Sequence, residues 1–305
     1  MKLASFYADD RVRLGAYHQG RLVDLNAAVL LLPDGRGILA PTMKALLAMG
    51  DEGLDLVRQT LAAVDAEDEV GLANVAFELD AATLLPPVPD PQKILAIGLN
   101  YRDHCEEQGL PEPTVVTLFC KFPSAAAGCG QPIVLPPPSV TNKVDYEAEL
   151  AVVIGREACD VLEENAYDYI AGYTCCNDVS ARDVQVGDGG RQWVHAKSFN
   201  TFAPLGPWLV TRDEIADPQA LSIQSRVNGE LMQDSNTRHL VFTVPYLVAK
   251  LSKSLTLLPG DIITTGTPGG VGLHRNPPVF LRCGDTVSVT IEGIGTLTNP
   301  VVAQG

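Results

Sequence analysis

Two glutamates one residue apart, Glu147 and Glu149, open the apolar run Leu150-Ala151-Val152-Val153-Ile154-Gly155, and that junction limits what the chain can become. Residues i and i+2 of a β-strand share a face, so the pattern aims two carboxylates the same way from a strand about to be buried. Two ionised carboxylates in a half-buried site either raise one pKa until a proton stays on, or hold a cation between them. A third carboxylate, Asp178, lies in Asn177-Asp178-Val179-Ser180-Ala181-Arg182-Asp183, after the predicted strand Tyr173-Thr174-Cys175-Cys176. Three hard oxygen donors on strand ends point to a divalent ion, Mg2+ or Mn2+ before Ca2+, rather than zinc. Taken alone, Glu-x-Glu is usually the solvated face of an edge strand and needs no metal. What separates the two readings is the neighbourhood.

From Lys93 to Val302 the chain carries ordered blocks: Gly98-Leu99-Asn100-Tyr101-Arg102-Asp103-His104-Cys105-Glu106-Glu107, Asp145-Tyr146-Glu147-Ala148-Glu149-Leu150, Asn177 to Asp183, and Ala196-Lys197-Ser198-Phe199-Asn200-Thr201-Phe202. Val227-Asn228-Gly229-Glu230, Pro259-Gly260-Asp261 and Thr265-Gly266-Thr267-Pro268-Gly269-Gly270-Val271-Gly272 follow. In order and spacing they resemble the catalytic domain of the fumarylacetoacetate hydrolase (FAH) family, and within it the subgroup of fumarylacetoacetate hydrolase domain-containing protein 2. The resemblance implies a divalent metal held by Glu147, Glu149 and Asp178, with Lys197 beside it. It implies substrates that are 2-oxo acids with a second carbonyl or carboxylate at the β position, a metal-bound enolate, and no organic cofactor. A Lewis acid and an ammonium aimed at that oxygen would stabilise the charge as it develops.

His104 and Glu107 stand three apart in a segment that reads helical from Asp103 to Gln108, so the carboxylate can orient the imidazole and raise its basicity. By itself such a pair is an ordinary charged helix start; in the family a similar pair sits on a mobile lid and activates water. Lys197 is either a surface charge passing Trp193 or a pocket cation, and charge balance against three carboxylates favours the pocket. Arg182, Gln185 and Lys121 match family positions along the substrate cleft, while Arg182 reads equally as a structural partner of Asp178 or Asp183. The glycine-rich segment after Ile262-Ile263-Thr264 lacks the ending of a P-loop, so nucleotide binding is not expected. Its backbone N–H groups and the Thr267 hydroxyl are candidates for a substrate carboxylate.

The chain of 305 residues, 46% of them hydrophobic, can bury one large core and a small second one. Its net charge of −15 argues against nucleic acid and anionic membranes as partners. No stretch reaches membrane-spanning length and no signal pattern opens the chain, so a cytoplasmic location is expected. Seven cysteines without Cys-x-x-Cys spacing read as reduced thiols, with Cys175-Cys176 as strand packing. His18, His195, His239 and His274 receive no metal role.

Residues 1–85 are expected to form a small N-terminal α/β unit, with strands at Lys2 to Tyr7, Arg13 to Tyr17 and Arg21 to Leu25 and helices near Met43 to Met49 and Leu54 to Ala63. A proline-rich linker, 86–92, precedes a catalytic unit at 93–305, whose short Val/Ile/Thr strands read as an antiparallel, curled β-core. The resulting fold class is α+β, with the family resemblance implying a mixed β-roll and a homodimer. The leading activity is a metal-dependent C–C hydrolase of short 2,4-dioxo acids of the acylpyruvate type. Oxaloacetate decarboxylase or keto–enol tautomerase, and isomerase or hydratase action on aromatic-catabolism dienoates, are the alternatives.

Overall fold

The computed structural model describes residues 1–33, 39–187 and 192–305. The apolar run becomes the strand Ala148–Ile154, buried along its whole length near the middle of a twelve-stranded sheet. Alternation explains how. Leu150, Val152 and Ile154 enter one hydrophobic core, while Ala151 and Val153 enter another on the opposite face. A strand covered on both faces needs apolar residues in succession, which is what the run supplies.

On one side of the sheet, Leu150 and its neighbours meet the strands Ser222–Val227 and Thr286–Ile291 of a second, five-stranded sheet and the helix Val244–Ser252. On the other side Ala151 and Val153 meet the helices Met43–Ala48 and Asp51–Val64 of the N-terminal segment. Thr42 caps the first of these by accepting from the Ala45 N–H. The N-terminal strand Lys2–Ala8 pairs antiparallel with Ala203–Thr211, which continues the same sheet. Pro87 accepts a hydrogen bond from the Ser5 hydroxyl at 2.9 Å and Val88 is fully buried, so the proline-rich segment is packed against the first strand.

The β-core is mixed rather than wholly antiparallel. Ile262–Thr264 runs parallel to Ile94–Gly98, and Gly295–Ala303 runs parallel to Ile133–Leu135. Side-chain alternation is the same in both arrangements, so it does not carry strand direction. Among the described residues no helix is long and apolar enough to cross a membrane. All seven cysteines are free, and alternation sends Cys175 and Cys176 into opposite cores.

Because Ala148–Ile154 joins both cores, Leu150→Ala should destabilise the fold by about 2–5 kcal/mol, the range for emptying a well-packed leucine site. Urea unfolding of the two proteins measures this, and an unchanged midpoint would show that the strand does not tie the layers together.

Candidate active site

Pairing between Ala148–Ile154 and Ile170–Asn177 sets Ala148 opposite Asn177 and brings the ends of both strands together. Asn177 accepts from the Glu147 N–H through its side chain at 3.0 Å, and Asp178 donates its N–H to the Glu147 carbonyl at 2.9 Å. Glu147 therefore precedes the strand rather than lying in it, yet its carboxylate joins the other two. Ligand oxygens of Glu147, Glu149 and Asp178 lie within 4.8 Å of one another, and all three residues are buried.

Three cations surround this trio. Lys197, at the end of the short helix Trp193–Lys197, places Nζ 2.8 Å from Glu147 Oε2 and 2.7 Å from Asp178 Oδ2. Lys121 Nζ contacts Asp178 Oδ1 and donates to the Val179 carbonyl at 3.2 Å. Arg182 reaches Glu147 Oε1 at 2.7 Å and Asp145 Oδ2 at 2.8 Å. Its partners are thus Asp145 and Glu147, neither of the two expected for it.

Counted with Asp145, four buried carboxylates face three cations. The shortfall falls on Glu149, whose one hydrogen bond among the described residues comes from the Gly266 N–H at 2.9 Å. Burial, then Asp178 and Glu147, push its pKa well above the ordinary carboxylate range. Glu147 behaves oppositely: burial opposes its ionisation, but Lys197 and Arg182 outweigh that and hold it down to about 2. Lys197 is kept protonated in the same way, with Asp178 and Glu147 overcoming the cost of burial. A divalent cation among the trio's oxygens would turn the deficit of one positive charge into a surplus of one. The donor set and the charge balance therefore fit a hard divalent ion, with Glu147, Glu149 and Asp178 as the residues that would hold it.

The chain leaves the strand Ile94–Gly98 through Leu99, whose φ of +55° is an uncommon conformation for leucine. Asn100 fixes this turn, donating to the Phe242 and Thr265 carbonyls at 3.0 and 2.8 Å. The helix Arg102–Glu107 follows. On it Glu107 Oε2 lies 3.0 Å from His104 Nδ1, while Glu107 Oε1 accepts the Gly270 N–H at 2.8 Å. Burial opposes ionisation of Glu107, but His104 and the Gly270 N–H lower its pKa. An ionised carboxylate can only accept, so Nδ1 carries the proton and Nε2 is left as the basic nitrogen.

The glycine-rich loop orients the protein's own carboxylates rather than presenting a bare backbone to a ligand. Gly266 serves Glu149, Gly270 serves Glu107, and the Gly272 and Leu273 N–H groups serve Asp145 at 2.8 and 2.9 Å. Such close approach excludes side chains: a Cβ on Gly272 would lie 1.9 Å from the Val279 carbonyl oxygen. Thr267 lines the site, and its hydroxyl accepts from Gln233 Nε2 at 2.8 Å.

These groups line one cavity of about 260 Å³. His104, Glu147, Glu149, Asp178, Lys197 and Thr267 share its wall with Arg182 and Gln185. Lys121, expected along the cleft, instead lies behind Asp178 and off that wall. Glu107 likewise stands behind His104. Two participants carried no assigned role in the sequence. Asp145 completes an i, i+2, i+4 series with Glu147 and Glu149, a signal the chain did contain. His274 lines the cavity with its ring centroid 6.0 Å from that of His104, and no local pattern distinguishes it from a surface histidine.

A sheet-rich α+β scaffold brings a buried carboxylate trio, an ammonium and a carboxylate-backed imidazole onto one small cavity, an arrangement that fits an enzyme. The chain belongs to the fumarylacetoacetate hydrolase family: residues 93–302 match the family model described as fumarylacetoacetate (FAA) hydrolase C-terminal. It is 43% identical over 307 residues to the mitochondrial oxaloacetate tautomerase of Xenopus laevis, covering 99% of this chain and 90% of that protein. Against a Bos taurus protein of the same description identity is 44% over 306 residues, covering 99% and 92%. The structure of fumarylacetoacetate hydrolase from Exiguobacterium antarcticum superposes with a TM-score of 0.81 at 34% identity, covering both chains fully. A maleylpyruvate hydrolase from Sphingobium, solved with manganese(II) and pyruvate, gives 0.77 at 31% identity, again over both whole chains.

Proposed function

We propose that this protein interconverts the enol and keto forms of oxaloacetate, with Mg2+ or Mn2+ at the carboxylate trio. The observation that carries the choice of reaction is similarity along 99% of the chain to relatives described as oxaloacetate tautomerases. This moves the reading from C–C hydrolysis, the leading expectation from sequence, to one of its alternatives. The cation would supply Lewis acidity toward the 2-oxo acid end of the substrate.

The rest is done by the chain. Keto–enol exchange moves one proton off or onto C3 and another onto or off the 2-oxo oxygen, with no bond between heavy atoms broken. His104, with Nδ1–H held by Glu107, offers Nε2 to the C3 proton. Lys197, kept charged by its two carboxylates, is the ammonium whose field favours negative charge on the neighbouring oxygen. Arg182, Gln185 and Thr267 line the cavity as the groups that would hold the substrate carboxylates. Phe119 and Trp193, packed edge-to-face at 5.3 Å, give the Lys197 side an apolar wall that limits water.

The test is a side-by-side assay with Mn2+ of oxaloacetate enol–keto exchange, oxaloacetate decarboxylation and acetylpyruvate cleavage. Accelerated exchange with little of the other two is expected. Rapid acetylpyruvate cleavage without exchange would return the protein to the hydrolases.

A further inference from the structure

One buried carboxylate organises two side chains of the cavity wall. Asp145, fully buried, accepts from Arg182 Nε at 2.8 Å and from the Gly272 and Leu273 N–H groups, so the same residue that sets Arg182 also fixes the turn Gly272–His274. His274 is exposed at the cavity's rim, while its ring still lines the cavity edge-on to His104. Glu107, His104, Arg182 and Asp145 are the charged groups that face it. Arg182, for its part, has a buried Nη2 with no hydrogen-bond partner among the described residues. The wall therefore carries an exposed imidazole, His274, on the same anchor that holds Arg182, and His274 makes no contact with the trio among those described.

We propose that His274 is a specificity-determining residue that receives the distal carboxylate of a four-carbon 2-oxo diacid, beside Arg182. The inference rests on the reading of the trio's end of the cavity as the place for the 2-oxo acid group. With that end committed, a dianionic substrate still carries a second carboxylate, which costs heavily to desolvate unless a donor meets it. An imidazole donates one N–H when neutral and two when protonated, so it serves that carboxylate in either state. A 2-oxo acid ending in a methyl group would offer His274 no acceptor and gain nothing from it.

The experiment compares oxaloacetate with pyruvate, which lacks only the distal carboxylate, by calorimetric titration of Mg2+-loaded wild type, His274→Phe and His274→Gln. Enol–keto exchange is assayed in parallel. Wild type should bind oxaloacetate at least about 10-fold tighter than pyruvate. His274→Phe should lose roughly 10–100-fold in oxaloacetate affinity, the effect of removing a hydrogen bond to a charged group, with pyruvate unchanged. His274→Gln, which keeps an N–H donor, should recover part of the preference. An undiminished preference in His274→Phe, or equal weakening of both ligands, overturns the assignment. Selective binding that depends on His274 without exchange in wild type would instead sink the tautomerase reading and leave His274 as the selector.

Discussion

Replacing one carboxylate oxygen by an amide nitrogen, in Glu149→Gln, is expected to leave a folded protein that no longer responds to Mg2+ or Mn2+ and no longer catalyses exchange. Glu147 and Asp178 each have an ammonium or guanidinium at hydrogen-bond distance, whereas Glu149 has only the Gly266 N–H. It is the member of the trio whose charge most needs a bound cation. Loss of metal affinity should exceed the 10–100-fold or so that follows from losing an outer hydrogen bond to a ligand. The same variant has a second, opposite signature. Burial and its carboxylate neighbours raise the Glu149 pKa in the fold, so ionising it destabilises the metal-free protein as pH climbs from the ordinary glutamate range through the raised value. Glutamine carries no such penalty. Metal-free Glu149→Gln should therefore melt at or above metal-free wild type at neutral pH, while Mn2+ raises Tm in wild type alone, by more at higher pH because binding expels a proton. Thermal unfolding with and without Mn2+ decides it; a metal response retained in the variant would place the ion elsewhere.

His104→Ala should lower kcat for enol–keto exchange by roughly 10²–10⁴-fold, the range for removing a positioned acid–base group. Metal binding should be spared, because His104 lies on the helix Arg102–Glu107 and not among the trio. Glu107→Gln should cost less: the amide keeps the shape but donates as well as accepts, so it weakens the preference for the reactive tautomer without removing the imidazole. Exchange followed by decay of the enol absorbance, alongside Mn2+ titration, separates these effects. If His104→Ala retains exchange within a few-fold of wild type, the base is another group.

The local patterns of the chain were enough for several of its elements. Met43–Ala48 and the apolar run 150–154 appear where periodicity and apolar content placed a helix and a strand. Strand direction was not legible, because residue alternation is identical in parallel and antiparallel pairs. The predicted helix around His104 lies within a residue of its place, since i, i+3 spacing and the following Gly109 are local signals.

The acid-rich spacing around residue 147, with Asp178 and Lys197, contained the chemistry of the site, because residue type dictates what each group can bind or protonate. What only the tertiary structure decided was who meets whom. Asp145, not Asp178 or Asp183, is the additional carboxylate that takes Arg182; Lys121 stands behind Asp178 rather than along the cavity; the glycine loop spends its N–H groups on Glu107, Asp145 and Glu149 of the protein itself. His274 reaches the cavity only because Asp145, more than a hundred residues earlier, holds its turn. Short-range spacing determines which side chains share a face of one strand or helix. Partners more than a hundred residues apart are chosen by how sheets and loops pack, and one chain's local pattern carries no record of that choice.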